Sequence, residues 1–138
     1  MLPKEKITAL VEYWLANATE KLKTMQGLYA SKRYADCLFF GHMVLEMTLK
    51  AHVVIATKET APKIHSLRRL AEMARLDLTE DEWKLLVRAS DFNMEARYPD
   101  EKLEFHKLST KSYTDGQYEP IISLYQKLCQ KIIIIISI

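Results

Sequence analysis

Apolar residues recur along the chain at spacings of three and four, the repeat of one helix face, and no stretch of strand-like alternation interrupts them. The first stripe is Ile7, Leu10, Val11, Trp14, Ala18, Leu22, Met25 and Tyr29, with Pro3 placed for a first turn. It predicts a helix from about residue 4 to about residue 30. A second stripe runs through Tyr34, Cys37, Leu38, Gly41, Val44, Leu45, Thr48, Leu49 and His52 to near Thr57, and the short link between the two predicts an antiparallel pair. Gly41 lowers helix propensity by about 1 kcal/mol against alanine, which suits a position of close backbone packing. Residues 58–64 read as a loop, and a short helix opens at His65-Ser66-Leu67 and ends near Arg75.

Thr79-Glu80-Asp81-Glu82 is a capping box with an acidic first turn. The helix it opens carries Trp83, Leu86, Val87, Ser90, Met94 and Arg97 on one face and is expected to stop at Pro99, since the residue before a proline avoids helical geometry. Residues 100–114 read as polar and irregular. A last helix is expected to start at about residues 115–120 and to bury Ile121, Leu124, Tyr125, Leu128 and Ile132. The expected fold is therefore all-α: an antiparallel up-and-down four-helix bundle with one additional short helix. One domain spans residues 1–138, with residues 132–138 an isoleucine-rich tail.

Composition agrees, with 49% apolar and 28% charged residues and only 3 glycines and 4 prolines, too few for many short strands and turns. A net charge of +2 does not by itself imply nucleic-acid binding. The charge is polarised, residues 1–69 carrying +5 and residues 70–138 carrying −3, which could steer an acidic partner or pair two copies. Cys37 and Cys129 are unclustered and fall on apolar stripes, so they read as small buried hydrophobes in a reducing, cytoplasmic setting. No signal peptide is expected, since residues 1–6 run into a charged helical pattern, and the isoleucine run is too short to cross a bilayer. No glycine-rich phosphate loop, metal-ligand spacing or nucleophile–base motif is present, and no cofactor is expected; His42 and His52 lie too far apart for one metal.

Trp14 and Ala18, then Tyr34-Ala35-Asp36, Glu46-Met47-Thr48-Leu49-Lys50-Ala51, His65-Ser66-Leu67 with Leu70, Ala96-Arg97-Tyr98-Pro99-Asp100 and Tyr113-Thr114-Asp115 occur in an order that resembles the HEPN family (higher eukaryotes and prokaryotes nucleotide-binding domain). The resemblance covers about residues 8–130. It implies a helical bundle that usually dimerises. In prokaryotes such a chain is often encoded beside a minimal nucleotidyltransferase, as a toxin–antitoxin or nucleotide-handling pair. Many members are metal-independent ribonucleases with an Arg and a His four to six residues apart on a late helix, and this sequence departs from that pattern. Its nearest late pair, Arg97 and His106, has eight residues including Pro99 between its members.

The candidate site residues each have a plain alternative. Glu46 and Lys50 sit one turn apart beside apolar positions, so they either form a surface ion pair or flank a cleft. His65 either supports a helix start or faces a ligand. Asn93 and Arg97 are spaced i, i+4 and project the same way, with Tyr98 as a stackable ring; they either anchor the loop after Pro99 or grip phosphate. Trp14 and Trp83 read as core anchors. The expectation is a non-catalytic nucleotide- or partner-binding module, a homodimer, carrying Glu46, Lys50, His65, Asn93, Arg97 and Tyr98 at its site. The alternatives are an RNA endonuclease using Arg97 and His106, and a structural dimer without ligand.

Overall fold

The structure, a computed structural model, describes residues 1–136 without the side chains of Ile134 and Ile136; the last two positions of the isoleucine tail lie outside the described residues. Among the described residues the elements are six α-helices: α1 (Lys4–Ala30), α2 (Tyr34–Thr57), α3 (Leu67–Met73), α4 (Glu80–Ser90), α5 (Pro99–Leu108) and α6 (Lys111–Ile136). No strand occurs among them.

The first stripe behaves as its spacing predicts, with Val11, Ala18 and Met25 buried and the intervening stripe positions half-buried. α2 is the central element and packs against every other helix. Its interior is closed by Leu38, Val44, Leu45 and Leu49 against Leu67 and Leu70 of α3, Leu86 of α4, and Ile121 and Leu128 of α6, all fully or almost fully buried. α2 is long and apolar enough to cross a membrane by length and composition, yet 72% of that stretch is buried inside the protein. A smaller cluster of Val11, Ala51, Val54 and Ile132 closes the other end. At Gly41 the space belongs to side chains rather than to a neighbouring backbone. An added Cβ would lie 3.0 Å from Ile121 Cδ1 and 3.3 Å from Met25 Cε.

Three expectations are corrected between residues 80 and 120. The capping box opens α4 as predicted, with Glu82 N–H donating to Thr79 Oγ1 (3.2 Å) and Thr79 N–H donating to Glu82 Oε1 (2.8 Å). The helix then ends at Ser90 rather than at Pro99. Asn93 Oδ1 accepts from Glu95 N–H at 3.1 Å, a local turn that competes with helix, so Met94 and Arg97 match the helical period without being helical. The buried face is accordingly Leu85, Leu86 and Ala89, while Val87 is exposed.

Pro99 begins α5 instead of terminating α4. Its missing N–H falls among the unpaired amides of a first turn, and Glu101 Oε1 accepts from Tyr98 N–H at 3.3 Å. Residues 100–108 are thus helical, and Phe105 buries against Phe92 with ring centroids 5.6 Å apart. α6 also starts before its expected position, because Thr110 Oγ1 accepts from Tyr113 N–H at 3.2 Å and caps it. Pro120 therefore sits inside α6, where it has no N–H for the Gly116 carbonyl. Cys37 is buried as expected, its thiol pushed up to about 12 by burial, whereas Cys129 is only half-buried.

Candidate functional site

Glu46 is the hub of the polar interior, and its position follows from helical spacing. His42 and Lys50 lie one turn before and after it on α2, so all three project from one face. Its Oε1 meets His42 Nε2 at 3.0 Å and its Oε2 meets Lys50 Nζ at 3.0 Å. His65, arriving from the loop before α3, places Nδ1 at 3.0 and 3.2 Å from the two oxygens. Burial alone would raise the carboxyl; the bonds from His42, Lys50 and His65 outweigh it and hold the group down at about 2. His42 Nδ1 also bonds the Ala89 carbonyl at 3.1 Å, tying α2 to the end of α4. His42 thus bridges the Glu46 carboxylate and a backbone carbonyl through its two ring nitrogens. Lys50 lies 5.2 Å from the centroid of the Trp14 ring, so that half-buried indole covers a buried cation as well as filling space.

On the outer side of His65 lies a cleft of about 430 Å³ lined by His65, Ser66, Ser90, Asp91, Asn93, Ala96 and Arg97. The His65 side chain is 59% exposed there, in contrast to the 11% of its carboxylate partner. Ser66 Oγ caps α3 by accepting from Arg69 N–H (3.3 Å). Ser90 Oγ donates to the Leu86 carbonyl (2.9 Å) and accepts from Leu67 N–H (3.1 Å), pinning the start of α3 to α4. Arg97 is held by its own segment: Nε donates to Asn93 O (3.4 Å), Nη1 to Glu101 Oε2 (3.3 Å), and Nη2 lies 3.7 Å from Asp91 Oδ1. A guanidinium has five N–H donors, so this tethering leaves donors over for an anion.

The residues singled out from sequence thus separate into two layers. His65, Asn93 and Arg97 line one cleft, while Glu46 and Lys50 stand behind it and fix the imidazole. Tyr98 is 74% exposed, precedes α5 and is not part of the cleft lining. Arg97 and His106 are not brought into one cleft: the guanidinium bonds Asn93 and Glu101 and lines the cleft, while His106 lies in the last turn of α5, outside the lining. His42, Ser90 and Asp91 were missed. His42 had a signal, its one-turn spacing from Glu46; the other two join only through the tertiary meeting of α3 and α4.

Among the described residues no group of three or more His, Cys, Asp or Glu side chains is placed to hold a metal ion. A groove of about 470 Å³ at the far end of the molecule is lined largely by apolar residues, including Ile7, Val11, Leu15 and Ile55. It lacks the convergent imidazole and guanidinium of the cleft.

The sequence matches the HEPN domain family over residues 11–134, which spans all six helices apart from the first turns of α1 and the end of α6. The chain belongs to the HEPN domain family. No curated protein and no solved structure gave a match. The HEPN match includes α2, which holds Glu46, and the segment carrying Arg97, so the cleft and the carboxylate behind it are both parts of the domain itself.

Proposed function

We propose that this HEPN chain is a binding module that holds a nucleotide through its phosphate, in the cleft lined by His65, Asn93 and Arg97. The observation that carries the reading is the meeting of a carboxylate-held imidazole and a guanidinium in one cleft of about 430 Å³. Arginine grips phosphate oxygens with paired donors, and an oriented imidazole adds one more whenever its Nε2 carries a proton as well as its Nδ1. The buried Glu46–His42–Lys50 group restricts His65 in advance, which reduces the ordering cost of binding.

The module acts as a homodimer in the cytoplasm, beside a minimal nucleotidyltransferase in a toxin–antitoxin-like pair. Family membership supports this wider assignment, as it supports arranging the long helices as an up-and-down antiparallel bundle. Calorimetric titration with AMP and ATP tests the core of it. Saturable binding is expected, weakened at least tenfold in Arg97→Ala. Equal binding by that variant removes the cleft as the site, and no binding by the parent leaves the structural dimer without ligand.

A second reading, RNA cleavage, is favoured by one observation: His65 from another part of the chain shares the cleft with Arg97, so the imidazole missing from the sequence spacing is present in space. In that reading His65 moves a proton and Arg97 faces the developing phosphate charge. Incubation with mixed RNA decides it. Cleavage lost in both His65→Asn and Arg97→Ala replaces the binding module by a nuclease, and intact RNA retains the module.

A further inference from the structure

We propose that His65 is a phosphoryl acceptor, whose Nε2 takes the phosphoryl group of an acyl phosphate to form a phosphohistidine beside Arg97. The proposal rests on the phosphate-binding reading of the cleft and goes beyond it by adding a covalent step.

The tautomer comes first. Nδ1 of His65 lies 3.0 and 3.2 Å from the two oxygens of Glu46, a carboxylate also bound by Lys50 and His42 at 3.0 Å each. An ionised carboxylate only accepts, so the neutral ring carries its proton on Nδ1 and its lone pair on Nε2. The ring is 59% exposed and lines the cleft, while the carboxylate behind it is almost wholly covered. An imidazole used only as a helix-start support has no need of a buried, three-partner carboxylate fixing its tautomer.

Of the other nucleophiles of the cleft, the exposed Asp91 carboxylate is paired with Arg97 Nη2 at 3.7 Å, and the two serines are engaged without activation. The Ser90 hydroxyl donates to the Leu86 carbonyl and the Ser66 oxygen accepts from Arg69 N–H; neither is bonded to a base. Arg97 brings spare N–H donors to the same cleft. Asn93, whose Oδ1 is taken by Glu95 N–H, retains its amide NH₂ as a donor.

The step balances without further reactants. The Nε2 lone pair attacks phosphorus, the bond from phosphorus to the acyl oxygen breaks, and the carboxylate leaves with the electron pair, needing no proton. The ring becomes cationic and keeps its Nδ1 proton against Glu46, which neutralises the new charge. Arg97 faces the charge on the transferring oxygens.

The test incubates the full chain with acetyl phosphate and reads intact mass and ³¹P NMR. A gain of one phosphoryl group is expected, labile in acid and stable in base, which separates it from lysine acetylation by the same reagent. His65→Asn, a change at an exposed ring, should abolish the label while circular dichroism shows an unchanged fold. Arg97→Ala should slow labelling about tenfold or more, and His106→Asn, outside the cleft, should label like the parent. Label that persists in His65→Asn, or no acid-labile label in the parent, overturns the proposal. AMP binding measured on the same sample separates the two ideas: binding without labelling overturns this step alone, and absence of both overturns the phosphate site as well.

Discussion

The two walls of the cleft are built on opposite principles. The inner wall, which stands behind the lining rather than in it, belongs to α2, where Glu46, His42 and Lys50 are almost fully buried, joined through the Glu46 carboxylate and enclosed by the apolar interior. The outer wall is residues 91–98, held by short-range bonds of Arg97 and Asn93 and by a single deep anchor, Phe92, which packs on Phe105 and Tyr113. A buried charge cluster is stable only when complete, so the inner wall is rigid and intolerant of change. Surface ion pairs contribute little, so the outer wall can exchange its carboxylates for a ligand's oxygens at small cost. The difference assigns orientation to one wall and capture to the other.

Breaking the inner wall should have the largest effect. Glu46→Ala leaves Lys50 and His42 buried without their acceptor and is expected to cost about 3–5 kcal/mol in chemical denaturation. A loss under about 1 kcal/mol would mean the cluster is solvated like a surface pair. His42→Ala strands the Ala89 carbonyl and opens a cavity between α2 and α4, for an expected loss of about 2–4 kcal/mol.

Acid sharpens the same contrast. The Glu46 carboxyl sits at about 2 against an ordinary value of 4.5. It therefore contributes stability that is full above the ordinary value and is lost as pH falls through the lower one. The stability gap between parent and Glu46→Gln should shrink steadily from about pH 5 towards pH 2; a gap independent of pH would show that the carboxylate's charge is not what the network uses. At the outer wall, Arg97→Ala should change stability by no more than about 0.5 kcal/mol while reducing AMP affinity at least tenfold. Tyr98→Ala should leave stability and affinity alike within error, because the exposed ring is not part of the cleft lining.

Much of this was legible in the amino-acid pattern, unevenly. Helices α1 and α2 carry long stripes, and their boundaries at about residues 30, 34 and 57 follow from periodicity and a short link. The stretch from Ser90 to Lys111 was misread for two physical reasons. Met94 and Arg97 keep a helical register while Asn93 turns the chain, and Pro99 serves as a first-turn residue where a stop was expected. The site was legible as parts only. Glu46, Lys50, His65, Asn93 and Arg97 all stood out by residue type and spacing, but spacing along the chain judged Arg97 against His106, whereas the fold places His65 at the cleft. The distance that matters runs between α2, the loop before α3 and the segment before α5, and no local period encodes it.

The central claim is that one oriented imidazole and one tethered guanidinium receive a phosphate together. Imidazole ¹H–¹⁵N NMR of the full chain during titration with AMP tests it most directly. The account predicts a saturable shift of the His65 Nε2 resonance, with Nδ1 remaining protonated, no shift at His106, and loss of the response in Arg97→Ala. A His65 spectrum unmoved by a nucleotide that calorimetry shows to bind, or one that moves equally in Arg97→Ala, would contradict it.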